Sequence, residues 1–391
     1  MNRREFLEFL KLGGMATAGL VSAPVAELAS ADRSRDEWRN KLSPMAYRRL
    51  GKTGYMISEF VCGGNTISPA NNQHVPLALD MGLNYLDTAP AYGKGESELG
   101  YSPVIDSSSK RQRVFLATKV SPWDNHRSDL FQKIFESLPD AEKQAIRRQA
   151  EEDLALRHVK DPDYFCNYFD AQWGEVERAA IANAMDKRYG SRIDKKKEYL
   201  GLILQSVDES LRRLRTDYLD VLLCPHGANT PQEMKVEEIF EAFERLKKAG
   251  KVRHLGFSSH SDPGGTLEAA VESGMYSMGM VAYNIINHRY VDRALAAAKK
   301  KDVGIIAMKV ARPVWAGRNR PVPPERVEKI QRAVPGDMKI PMKAYLWALQ
   351  NPNIAGINSE LINAEMVKDN LPLAGKRIGH YARREPRERR G

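Results

Sequence analysis

Short apolar runs rich in branched residues alternate along this chain with segments whose apolar residues recur every three to four positions. After Tyr47 the apolar runs read SEFVCGG, LNYLDTA, VFLATKV, DYLDVLLCPHG, VRHLGFSSH, MGMVAYNII, VGIIAMKVA and IAGINS. Striped segments lie between them, among them VDESLRRLR, EEIFEAFERLKKAGK, TLEAAVESG, VDRALAAAKKK and PMKAYLWALQ. A continuous apolar run suits a strand covered on both faces, and a stripe suits the helix that covers it. Eight such strands alternating with helices predict an α/β fold, a closed (β/α)8 TIM barrel, preceded by a hairpin around residues 49–54. A doubly wound open sheet is the rival, and no Gly-x-Gly-x-x-Gly turn follows any strand to support its nucleotide-binding form.

One stretch breaks the alternation. A charge-rich, helical insertion without strand signal occupies about 123–198 and carries Tyr164, Phe165, Tyr168, Phe169 and Trp173. Because it follows the third strand, it belongs on the carboxyl-terminal face of the barrel, where active sites are built. It is expected to be a lid or substrate wall, or a helical subdomain packing its aromatics on itself or on a subunit.

The two ends read differently from the middle. Residues 1–31 have the layout of a twin-arginine (Tat) signal peptide: Arg3-Arg4, then Phe6-Leu7, an apolar stretch LGGMATAGLVSAPVA, and a small-x-small cleavage site at Ala29-Ser30-Ala31. Glu8 stands where such signals carry a basic residue. The barrel is then expected over 32–371, with export through the Tat translocase to the periplasm or another extracytoplasmic place. Residues 372–391 form a basic tail, with seven Lys and Arg against two Glu from Lys376 onward.

Composition narrows the class. The 391 residues are 42% hydrophobic and 28% charged, as in a soluble globular protein. Half of the formal net charge of +10 sits in the tail, and no basic stripe is interleaved with aromatics, which argues against nucleic-acid binding. The tail or the insertion remains a candidate contact for a membrane surface or a subunit. Cys62, Cys166 and Cys224 have neither the number nor the spacing of a zinc or iron–sulfur site, so no metal is expected.

In a barrel the strand ends converge on one mouth. They bring there Asp87 after the second strand, Tyr92 in the loop beyond it, Lys119 ending the third and His226 ending the fourth. A phenol titrates near ~10 and gives up its proton reluctantly at neutral pH. An ammonium beside it is expected to lower that value, and a carboxylate keeps the ammonium charged and in place. A histidine across the mouth can donate to a carbonyl oxygen. The four groups suit protonation of an oxygen while hydride reaches its carbon.

The pieces YRRLGKTG, SEFVCGG, GLNYLDTAPAYGKGESELG, VFLATKV, SLRRLRTDYLDVLLCPHG, FERLKKAGKVRHLGFSSH, VAYN and KDNL occur in one order across about 47–371. In this the chain resembles the aldo-keto reductase superfamily. The resemblance implies an NAD(P)-dependent oxidoreductase acting on a carbonyl or alcohol substrate, with Asp87, Tyr92, Lys119 and His226 as its catalytic set. It implies NADP or NAD held in extended form: Gly64, Asn65 and Asp87 by the nicotinamide, Ser258 and Ser259 at its amide, Met308 and Lys309 beside it, Asn358 and Ser359 at the last strand, and Asp369 and Asn370 at the adenine. The chain departs from the pattern at Met280, where a glutamine is usual, and at Met308, where an aromatic usually stacks. Glu360 stands near the place of the base that clasps a 2′-phosphate, while Arg312, Arg318 and Arg320 offer charge nearby. An exported nucleotide-binding scaffold or sensor with little or no turnover is the alternative function.

Overall fold

The computed structural model describes residues 36–315 and 321–378. The twin-arginine motif, its cleavage site, Arg318, Arg320 and most of the basic tail lie outside the described residues. Three short strands come first: β1 (Glu37–Trp38), β2 (Tyr47–Arg49) and β3 (Tyr55–Ser58) form a sheet in the order β1-β3-β2. The antiparallel β2–β3 pair is the expected hairpin.

Eight parallel strands then close a barrel: β4 (Phe60–Gly63), β5 (Tyr85–Asp87), β6 (Phe115–Lys119), β7 (Leu219–Leu223), β8 (Val252–Ser259), β9 (Met278–Ala282), β10 (Gly304–Met308) and β11 (Gly356–Ser359). Each coincides with one of the apolar runs. Sequential neighbours pair, and β11 returns to β4 through Ile357–Phe60, Asn358–Val61 and Ser359–Cys62. Strand period two decides which residues enter the lumen. Val61, Tyr85, Phe115, Ala117, Val221, Leu223, Met278, Met280, Ile306 and Met308 form the interior core. Leu86, Leu116 and Leu222, one residue out of phase, join the core between sheet and helices. The same phase carries Asp87 and Lys119 inward, two residues beyond Tyr85 and Ala117.

The hairpin plugs the amino-terminal end. Leu50 and Tyr55 belong to the interior core, and Tyr55 stacks on Phe115 with centroids 4.2 Å apart. The plug fits closely: a Cβ on Gly51, whose φ is +53°, would stand 2.1 Å from the Gly304 nitrogen. Only glycine meets both demands there.

Helices Trp123–Glu136, Asp140–Ala155 and Gln172–Tyr189 make up the insertion. It has a small core of its own, with Phe131, Phe135, Ile146 and Met185. Tyr164, Tyr168 and Val176 instead join the main core. It therefore both packs on itself and docks on the barrel. Among the described residues no helix is long and apolar enough to cross a membrane.

Candidate active site

Lys119, 1% exposed, donates to Asp87 Oδ1 at 2.6 Å and to the Thr88 carbonyl at 2.7 Å. Asn358, ending β11 across the lumen, donates to Asp87 Oδ2 at 3.1 Å and also meets Met280 Sδ at 3.2 Å. Asp87, itself fully buried, is thus held on both oxygens. Gly64 backs this corner closely, since a Cβ there would meet the Asp87 carbonyl oxygen at 2.4 Å. The Lys119 ammonium lies 4.7 Å from the centre of the half-buried Tyr92 ring. The rings of Tyr92 and His226 meet edge to face with centroids 6.1 Å apart. The four expected catalytic residues are together.

Their electrostatics follow from burial in a charged mouth. Desolvation raises the Asp87 carboxyl above its ordinary value, and Lys119 and Asn358 pull it back. Burial works against the Lys119 charge, but Asp87 and Tyr92 outweigh it and raise the ammonium pKa. Tyr92 departs from the expectation of a lowered phenol. Burial, helped by Asp87 and Glu360, raises its pKa despite Lys119. The reason is that desolvation of the phenol is the largest effect, and Asp87 offsets part of the Lys119 pull against it. His226 is pushed down to about 3 by burial and then by the charges of Lys119 and Lys309, so it is neutral near pH 7.

Ser121 joins this machinery although the sequence expectations do not include it. Ser121 Oγ stands 3.0 Å from His226 Nδ1 and accepts the Ala91 N–H at 3.1 Å, tying the loop that carries Tyr92 to the loop that carries His226. Its position two residues after Lys119 is the only signal of this in the sequence. Ser258 Oγ accepts the Gly227 N–H at 3.0 Å and Ser259 Oγ donates to the Ala228 carbonyl at 2.7 Å. Both serines, expected at the nicotinamide amide, are engaged in holding the His226 loop.

The remaining expected nucleotide residues lie along the β4–β10–β11 side. Asn65 is exposed and reaches Glu360 at 3.4 Å. Met308 is packed in the interior core, and Lys309 follows it. Asn370 donates to Ser359 Oγ at 3.3 Å, while Asp369 pairs with Lys339 at 2.7 Å on the surface. Asn358 is turned to Asp87, away from any outer phosphate. Arg312 and Lys309 have no hydrogen-bond or ion-pair partner among the described residues. Their charges act on one another, so they are neighbours. Arg312, together with Asn65 and the Glu360 it reaches, fits a phosphate-bearing dinucleotide.

The insertion roofs the opposite side. Tyr168 Oη accepts from Asn284 Nδ2 at 2.9 Å, Gln172 Nε2 donates to Ser261 Oγ at 3.2 Å, and Arg157 pairs with Asp262 at 2.7 Å. Tyr164 also donates to Asp262. Asp262 in turn caps the helix Pro263–Ser273 by accepting from Gly265. The two successive loops after β8 and β9 are thereby fastened to the insertion. Phe169 lies edge-on to His260, with centroids 5.9 Å apart.

The Aldo/keto reductase family profile matches residues 63–187 and 174–321. Among curated relatives, the uncharacterized oxidoreductase YqkF of Bacillus subtilis is 23% identical over 85% of this chain and 92% of its own length. Aldo-keto reductase AMT2 of Alternaria alternata is 29% identical over 56% of this chain and 51% of its own, so the chain spans about half of that relative. Among solved structures, aldo-keto reductase AKR11C1 of Bacillus halodurans superposes with a TM-score of 0.58 at 20% identity, covering 87% of this chain and 94% of that one, which shows the shared fold. Family profile, barrel and site together show that the chain belongs to the aldo/keto reductase family of oxidoreductases.

Proposed function

We propose that the protein is an exported, NAD(P)-dependent reductase of carbonyl compounds, working reversibly on the corresponding alcohols. The observation that carries this reading is the buried Asp87–Lys119 pair beside Tyr92, with a neutral His226 facing the phenol. A bound nicotinamide would supply the hydride for reduction and accept it for oxidation. Tyr92 gives its phenolic proton to the carbonyl oxygen as that carbon gains hydride, and the half-buried ring recovers a proton from solvent. Its raised pKa keeps the donor loaded through neutral pH. Lys119 stabilises the transient phenolate, and Asp87 with the Thr88 carbonyl fixes where the ammonium stands. In this reading Ser121, already an acceptor for Ala91, donates its hydroxyl proton to Nδ1 of His226. The proton of the neutral imidazole is then on Nε2, which donates to the substrate oxygen.

Arg312, Asn65 and Glu360 would hold the dinucleotide, Glu360 favouring ribose hydroxyls over a 2′-phosphate. Export is supported by the Arg3-Arg4 motif and its following apolar stretch. Free dinucleotide is scarce outside the cytoplasmic membrane, so the cofactor would be loaded before export and recycled in place. The test is to denature protein recovered after export, identify released nucleotide by absorbance and mass, and assay a carbonyl panel with Tyr92→Phe alongside. Bound NAD or NADP, and turnover that drops about 10²- to 10⁴-fold in the variant, is the expected result. Nucleotide bound without any hydride transfer would leave a binding protein instead.

A further inference from the structure

The mouth holds two polar side chains that the proposed chemistry does not use. Lys309 directly follows β10 and holds a φ of +57°, a left-handed conformation costly for a residue with a side chain. Its half-buried ammonium makes no hydrogen bond or ion pair with any described residue. His260 directly follows β8, and its Nδ1 is buried without a hydrogen-bond partner. The two leave strands separated only by β9: Ser259 is level with Val281, and Val281 with Ala307. The charges of Lys309 and Lys119 both act on His260 and on His226, which places all four around one space. The insertion supplies the wall behind, with Phe169 and Tyr168 at 5.9 and 6.5 Å from the His260 ring.

An ammonium and an imidazole nitrogen left unpaired in a desolvated cleft are costly unless a ligand answers them. The sign of the space decides what that ligand is. Asp87, the carboxylate at its floor, is already bound on both oxygens by Lys119 and Asn358. On the open side Glu360 also acts on Lys309, but it is exposed and bonded to Asn65 at 3.4 Å, and Arg312 adds a second cation there, so the balance is cationic. We propose that the substrate is a carbonyl compound that also bears a carboxylate, received by Lys309 and His260, with its apolar body lying against Phe169. This rests on the oxidoreductase reading and adds the substrate class to it. The carbonyl lies between Tyr92 and His226, and the carboxylate lies on the β8–β10 side of the mouth.

The test uses the purified full chain with NADH and NADPH and a panel of 2-, 3- and 4-oxo acids, each beside its methyl ester. The expected result is a higher kcat/KM for acids than for esters. Lys309→Met should lower kcat/KM for the acids by about 10- to 100-fold, leave the esters nearly unchanged, and leave dinucleotide affinity by fluorescence unchanged. Lys309→Arg should keep the preference for acids. His260→Phe should show a smaller loss in the same direction. If Lys309→Met weakens acids and esters alike together with dinucleotide binding, Lys309 serves a cofactor phosphate and the inference is overturned. Turnover confined to neutral carbonyl compounds overturns it as well while leaving the oxidoreductase reading intact. No turnover of any carbonyl, with nucleotide bound, overturns that reading itself.

Discussion

Two fully buried carboxylates sit at opposite ends of this barrel, and they are held in different ways. Asp220, near the start of β7, lies between Arg39 at 3.0 Å and Arg111 at 2.8 Å and accepts the Leu116 N–H at 2.9 Å. Asp87, at the end of β5, meets an ammonium, a side-chain amide and, just beyond, a phenol. Guanidinium groups do not release protons in proteins, and their planar forks fix a carboxylate in one geometry. The amino-terminal cluster is therefore a tie between the plug and the strands. An ammonium, a phenol and an imidazole can exchange protons, so the carboxyl-terminal cluster can do chemistry. Burial of charge alone does not mark a site; the kind of partner does.

The comparison is broken most directly at the two acids. Asp220→Asn should cost about 3 kcal/mol of stability, because it removes the buried carboxylate that Arg39 and Arg111 share, and should leave kcat per folded molecule unchanged. Asp87→Asn should instead lower carbonyl reduction by about 10²-fold with a smaller shift in the urea midpoint. Equal loss of stability in both variants would erase the distinction. Ser121→Ala comes next in size: kcat should fall about 10-fold with KM little changed, as expected for a lost neutral hydrogen bond. The imidazole nitrogen resonances of His226 should show the lost tautomer preference, and Ser121→Thr should restore both readouts.

The smallest effect concerns two histidines, one at each end. His226 is pushed down to about 3 and His254, 5.0 Å from Tyr55 by ring centroid, to about 4, burial being the main cause for each. Both folded-state values lie below the ordinary 6.5, so below that pH the unfolded chain binds protons that the folded chain refuses. Stability is then full above pH ~6.5 and falls as pH drops toward 4, by about 0.7 kcal/mol per histidine between pH 7 and 6. Thermal unfolding across that range checks it. His254→Asn should remove its share of the slope without touching the pH profile of reduction.

Much of this was legible in the chain. The eight strands showed as continuous apolar runs because each is covered on both faces, and the insertion showed because it has no such run. Short helices such as Val75–Asp80 and Glu96–Tyr101 did not show, since six residues cannot display a helical period. Asp87, Tyr92, Lys119 and His226 were legible because strand ends in a closed barrel must converge. The direction of the Tyr92 shift was not, because it depends on how far the closed mouth desolvates the phenol against the pull of Lys119.

What the sequence determined by itself is periodic and local: a barrel, its interruption after the third strand, and which residues end each strand. The tertiary structure alone decided who meets whom across the mouth. Asn358 turns to Asp87, Ser258 and Ser259 hold the His226 loop, Ser121 bridges two loops, and Lys309 and the Nδ1 of His260 find no hydrogen-bond partner among the described residues. The reason is physical. Strand period two fixes a side chain's face within its own element, whereas a hydrogen-bond partner hundreds of residues away is fixed only when the barrel closes and the insertion docks on its rim.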